Sequence, residues 1–149
     1  MEVRAIEITP GSWPCDFLAA AVFEDDWNTL DRLEPGWAER LKALAARRSY
    51  RGRAGEVLVL PLAGEPTLAL VGLGKKGPLG QETVRQATGE AVKAAVRDRG
   101  AKVLFLLPEP PGWALSKAAA EGAILAGYRF DKYRGRDEEE PPRFEVETL

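Results

Sequence analysis

The chain of 149 residues contains no histidine and a single cysteine, Cys15. Zinc sites of the imidazole or thiolate kinds are therefore excluded. So is an internal disulfide, and one lone thiol suits a reducing compartment. Asn28 is the only asparagine, and Gln81 and Gln86 are the only glutamines. Such depletion of heat-labile amides points to a thermophile, although a GC-rich genome leaves the same trace. No apolar run reaches the length of a membrane span, and Met1-Glu2-Val3-Arg4 lacks a signal-peptide core, so a cytoplasmic location is expected. Charge of one sign is lacking too. A net charge of -2 gives no electrostatic case for nucleic acid or anionic membrane as a partner.

What is present describes an ordinary globular domain, with 45% hydrophobic and 30% charged residues. The length supports one domain with a sizeable core and not comfortably two. Glu2 to Ile8 alternates as an opening strand. Asp16 to Phe23 is a short apolar run that reads as a buried strand, although its alanines would also permit a helix. From Pro35 to about Arg48, Trp37, Leu41, Leu44 and Ala45 recur at helical spacing, with Pro35 suited to the first turn. Val57 to Leu60 has the unbroken apolar character of a strand covered on both faces. Ala63 to Pro66 turns the chain into a second strand, Thr67 to Val71, so the pair is an antiparallel hairpin.

Val84, Ala87, Thr88, Ala91, Val92, Ala95 and Val96 trace a helical stripe that stops at Gly100, a suitable residue for the left-handed exit. Val103 to Leu107 is another strand, closed by prolines. A helix from about Ala114 to Phe130 follows, and Ala119, Gly122, Ala123 and Ala126 line one side of it. Two glycines inside this helix each cost roughly 1 kcal/mol against alanine, which a sequence tolerates where another backbone comes close. Tyr128, Phe130 and Tyr133 would close it as an aromatic plug. Asp137 to Pro142 is a charged connector, and Arg143 to Leu149 alternates as a final strand. Strands interleaved with helices imply a three-layer α/β/α domain on a mixed, mostly parallel sheet of about six strands.

The best candidate for a ligand site is the turn from Gly72 to Gly80, with Gly72, Gly74 and Gly77 letting backbone N–H groups approach an anion and Lys75 and Lys76 adding charge. Its spacing matches neither the Walker loop nor a full GxGxxG, and a flexible strand-to-helix connection explains it as well. Arg47, Arg48, Arg51 and Arg53 could meet phosphates, or could simply oppose a helix dipole. Glu24-Asp25-Asp26 and Asp137 to Glu140 could hold a divalent ion through oxygen, but charge runs beside breaks in regular structure are ordinarily solvated. No nucleophile has a base near it in sequence. Trp13, Trp27, Trp37 and Trp113 are scattered as core or interface anchors.

The segment Glu121-Gly122, then Gly127-Tyr128-Arg129-Phe130-Asp131-Lys132-Tyr133, resembles the helix closing the N-terminal domain of leucyl aminopeptidases, the cytosol aminopeptidase family. Gly55 to Pro61, Val71 to Lys75 and Arg85 to Ala91 look like earlier landmarks of the same domain in the same order. The resemblance implies a macro-domain-like fold, a hexameric parent enzyme and chemistry in a separate C-terminal domain. That domain binds two divalent metal ions, zinc or manganese, and removes N-terminal residues from peptides. None of its motifs occurs here; the Asn-Thr-Asp-Ala-Glu-Gly-Arg type of segment is absent, so no catalytic residue and no cofactor carries over to this chain. The expectation is a non-catalytic domain that supports oligomer assembly and flanks access to a catalytic domain not included. The macro-like fold suggests an alternative, a module binding ADP-ribose or a related nucleotide, with Asp16 and the Gly72 to Gly77 turn as its contacts. The Asn-Ala-Ala-Asn type of segment expected there is replaced by Val22-Phe23-Glu24-Asp25. A third reading, a DNA-binding accessory domain, would rest on Arg40, Arg47, Arg48, Arg51 and Arg53, a partial basic face in an acidic chain.

Overall fold

The computed structural model describes residues 3–6, 14–61, 66–109, 112–133 and 143–147, with side chains described over 14–61, 66–109 and 112–128. The elements run β1 (Val3–Ile6), β2 (Phe17–Val22), α1 (Asn28–Leu33), α2 (Trp37–Ala46), β3 (Val57–Leu60), β4 (Thr67–Gly72), α3 (Gln81–Arg97), β5 (Lys102–Leu106), α4 (Trp113–Tyr133) and β6 (Arg143–Glu147). They form one mixed sheet in the order β1-β6-β5-β2-β4-β3. The part whose side chains are described is β5-β2-β4-β3, and the backbone of β6 and β1 continues from β5. All neighbours are parallel except β3, which returns antiparallel along β4.

β2 lies at the centre, and all six of its residues are buried. Strand alternation sends Phe17, Ala19 and Ala21 to one face and Leu18, Ala20 and Val22 to the other. The first face meets α3 and α4 through Ala69, Val71, Val103 and Phe105; the second meets α1 and α2 through Leu68, Leu70, Leu104 and Leu106. This is the three-layer arrangement expected from the sequence. The layers differ in grain. On the α3/α4 side, Ala19, Ala21 and Ala69 oppose Ala87, Ala91, Ala95, Ala118, Ala119 and Ala123, so helices and sheet approach closely.

Several expectations need correction. β3 is not covered on both faces; it is the edge strand, with Leu60 buried and Val57, Leu58 and Val59 only half-buried. α1 escaped the sequence reading because six residues are too short to show a period. α2 starts at Trp37 instead of Pro35: Gly36 takes φ +87°, and Asp31 Oδ1 accepts the Gly36 and Ala38 N–H groups, at 3.2 and 3.1 Å, to close the helix start. Leu44 is exposed, off the buried line of Leu41 and Ala45. After α3 the left-handed residue is Arg99, φ +59°, and not Gly100. Gly100 is small for another reason: a Cβ there would come within 3.0 Å of Phe17 Cβ. The tip of the β3–β4 hairpin, the acidic connector and the side chains of Phe130 and Tyr133 lie outside the described residues.

Candidate functional site

In parallel α/β sheets, ligands bind beyond the carboxyl ends of the strands, where loops converge. Here that end is built by the turn after β4, the 47–56 loop and the segment after β2. Gly72 fits only as glycine, because a Cβ would overlap the Arg53 carbonyl oxygen and come to 2.6 Å from Gly52 C. Gly74 has φ +84°, where a side chain would be strained. The N–H groups of Gly72, Leu73 and Gly74 donate to Glu56 O (2.8 Å), Val22 O (2.8 Å) and Gly52 O (3.0 Å). The Glu24 N–H donates in turn to Gly74 O at 2.9 Å. These donors stitch three loops together and point at protein carbonyls. Gly77 has open space around it, and Lys75 is exposed.

Lys76 Nζ reaches Asp26 Oδ2 at 2.7 Å, linking the glycine turn to the segment after β2. Asp26 Oδ1 also accepts the Asn28 N–H at 3.0 Å. The bond from Lys76, helped by that from Asn28, holds the Asp26 carboxyl below its ordinary range, and the same pairing raises the Lys76 ammonium. Of the acidic triplet read from the sequence, Asp26 is thus committed to an ion pair.

Asp16 lies at the other end of the molecule. It precedes β2, and its carboxylate accepts the N–H groups of Ala101 (3.1 and 2.9 Å) and Lys102 (2.9 Å) at the start of β5. Six strand residues separate it from the glycine turn, roughly 20 Å along β2. Asp16 and the Gly72, Gly74, Lys75 and Gly77 turn therefore do not converge on one site.

Beside the turn is an open cavity of about 330 Å³ lined by Glu24, Trp27, Lys42, Ala46, Tyr50, Arg51 and Arg53. Its floor is aromatic. Trp27 and Tyr50 meet edge to face, 5.8 Å between ring centroids at 71°. Tyr50 donates its hydroxyl to Glu56 O at 3.3 Å, and burial pushes its phenol well above the ordinary range. Trp27 is 5% exposed, and its Nε1–H has no acceptor among the described residues. Leaving such a donor unmatched costs about 1–3 kcal/mol. The basic cluster in the sequence pointed to Arg51 and Arg53, with Tyr50 beside them in the chain; nothing local tied Trp27 and Lys42 to them, since the fold alone brings α2 and the post-β2 segment together.

The opposite helical layer carries the second surface feature. α3 and α4 pack along their length, with Arg85 joining Gln81, Glu82 and Glu121 at 3.2–3.4 Å. On the outer side of α4, Ile124 (51% exposed), Leu125 (57%) and Tyr128 (65%) face away from the core. Their spacing of three and four places them on one helical face. Tyr128 is thus not part of a buried plug. Leu125 and Ala126 also border a shallow groove of about 460 Å³ with Arg85, Gly89, Glu90 and Lys93.

The described residues do not fit a two-metal centre: none of them forms a group of three or more carboxylate, thiol or imidazole ligands able to hold a metal ion. No helix among them is long and apolar enough to cross a membrane.

The architecture is that of a macro-like α/β/α domain. Residues 21–137 match the model of the cytosol aminopeptidase family, N-terminal domain, and the chain belongs to that family. A probable cytosol aminopeptidase of Aquifex aeolicus is 35% identical over 153 residues, covering 100% of this chain and 31% of its own length. A tomato leucine aminopeptidase variant superposes with a TM-score of 0.78 at 19% identity, covering 100% of this chain and 32% of that one. The macrodomain of Thermus aquaticus DarG superposes with a TM-score of 0.67 at 14% identity, covering 99% and 98%. At these identities the two structures show the fold alone. The chain spans about a third of the length of the curated relatives it matches.

Proposed function

We propose that this domain is the non-catalytic partner of a metal-dependent aminopeptidase catalytic domain. It supports assembly of a homo-oligomer, a hexamer as the family resemblance implies, and flanks the approach of peptides to the catalytic centre. Catalysis and its two divalent ions, zinc or manganese, belong in this reading to the part of the protein for which the relatives' greater length leaves room. The observation that carries the proposal is the apolar face of α4: Ile124, Leu125 and Tyr128 expose rings and branched chains on a helix whose other face is fully occupied by the core. A contiguous apolar patch of this kind marks an interaction surface. Family membership supports a catalytic domain of the same family as the partner.

Immunoblotting of source cells against this domain tests the reading. A native species much larger than a 149-residue chain is expected. A species of 149 residues, with no metallopeptidase co-purifying, would contradict it. A nucleotide module of the ADP-ribose type has the fold likeness in its favour. It lacks the support of the contacts expected for it, since Asp16 and the glycine turn stand apart.

A further inference from the structure

The free edge of β3 is defined group by group by its ladder with β4. Val57 stands opposite Val71, so Glu56 stands opposite Gly72, whose N–H donates to Glu56 O at 2.8 Å. Antiparallel ladders bond at every second residue. Leu58 and Leu60 therefore exchange bonds with Leu70 and Leu68, while Val57 and Val59 aim their N–H and C=O groups away from β4. The other side of β4 agrees, since the Thr67 and Leu73 N–H groups donate towards β2, to Asp16 O and Val22 O.

Open edges are ordinarily blunted by lysines, prolines or inward charges. β3 reads Val-Leu-Val-Leu and carries no charge. Its ends are closed instead. Gly55, at φ +84°, and Glu56 together face Gly72 as a bulge, with the Gly55 N–H on Gly72 O at 3.3 Å. Pro61, at the far end, has no N–H to offer. The open window is thus four residues long, with Val57, Leu58 and Val59 half-buried.

We propose that β3 pairs antiparallel with β3 of a second copy of this chain, across a two-fold axis at Leu58. Val57 of each copy then exchanges both hydrogen bonds with Val59 of the other, so every outward group of the two valines is satisfied. Leu58 meets its own equivalent on one face of the sheet, and Val57 meets Val59 on the other. A second copy fits better than a longer foreign strand, because the bulge and Pro61 stop the ladder at the same length on both sides. Beside the window, a shallow groove of about 210 Å³ is lined by Val57, Val59, Ala94, Arg97 and Asp98. It holds one cation and one anion, so two copies meet there without net charge. Such an isologous contact closes on itself and builds no filament. It is separate from the α4 face and stands or falls independently of it.

Amide hydrogen exchange followed by ¹⁵N NMR tests the pairing, in the chain carrying Ile124→Asp and Leu125→Asp so that α4 does not contribute. The Leu58 and Leu60 amides should be protected at every concentration, which reads the intact β3–β4 ladder. The Val57 and Val59 amides should exchange about threefold more slowly at about 1 mM chain than at about 0.02 mM, as a dissociation constant of about 0.3 mM gives. Val59→Lys should abolish that difference while Leu58 and Leu60 stay protected. Fast exchange of Val57 and Val59 at both concentrations would overturn the proposal. Equal protection at both would overturn it too, since the groups would then be satisfied within one chain. Dimers seen by sedimentation without this protection would place the contact on another face. Protection only after an extended valine-rich peptide is added would give the edge to a foreign strand. Either result overturns the pairing of two copies.

Discussion

Gly122 of α4 lies directly against Thr88 of α3. A Cβ on Gly122 would overlap Thr88 Oγ1 and the Arg85 carbonyl oxygen, and would stand 2.9 Å from Arg85 Cα. Thr88 is fully buried, and its hydroxyl donates back to the Val84 and Arg85 carbonyls at 3.0 Å. The helix pair is thus set backbone to backbone at this point, and the small-faced stripe of α4 follows from that contact. Gly89, one residue further along α3, has a different standing: a Cβ there would meet only Gly122 O, at 4.0 Å.

The two glycines should therefore respond oppositely to alanine. Gly122→Ala is expected to destabilise the domain by about 1–3 kcal/mol through overpacking. Gly89→Ala is expected to stabilise it by about 0.5–1 kcal/mol, the helix-interior difference between the residues. Urea unfolding of both variants reads the signs; equal destabilisation would contradict the packing described.

The Asp26–Lys76 pair predicts a pH dependence. Its folded carboxyl titrates below the ordinary 3.8. A depressed carboxyl contributes stability above its unfolded value, and that contribution is lost as pH falls through the folded one. Asp26→Asn should accordingly lower Tm at pH 7, with the gap to the parent closing below about pH 3.8 as the parent's own carboxylate takes up its proton. Lys76→Met should follow the same course in acid. Lys76 is exposed, so the effect should be small and should shrink with salt. A gap that persists unchanged at low pH would mean that the pair contributes nothing.

The α4 face predicts separation of folding from assembly. Leu125→Asp and Ile124→Asp, at exposed positions, should leave Tm nearly unchanged, as surface substitutions away from packing contacts do. In the complete enzyme of the proposal they should disrupt oligomers on size-exclusion chromatography. Loss of fold in the isolated chain would show that the face is part of the core after all.

The layering was legible in the sequence because each strand and long helix carries its own period: Phe17 to Val22 is uniformly apolar, and the Val84 to Val96 stripe follows the helical repeat. α1 and the start of α2 were not legible. Their boundaries depend on Asp31 reaching forward to Gly36 and Ala38, a choice no pattern announces. The edge position of β3 was hidden for a similar reason, since Val57 to Leu60 has a central strand's composition and only the sheet order exposes it. At the candidate site, glycine content marked where loops come close without revealing that the N–H groups of Gly72 and Gly74 are already bonded. Asp16 could be offered as a ligand contact because its partners, Ala101 and Lys102, are far away in the chain. Trp27 and Lys42 joined the arginines only through tertiary packing.

The proposed role requires that this domain perform no peptide hydrolysis alone. The most direct measurement is leucine release from leucyl substrates by the purified chain, with manganese or zinc supplied and host aminopeptidases removed. No release above the metal-only blank is expected. Metal-dependent turnover at ordinary enzymatic rates of about 1–1000 per second, co-eluting with the chain, would contradict it.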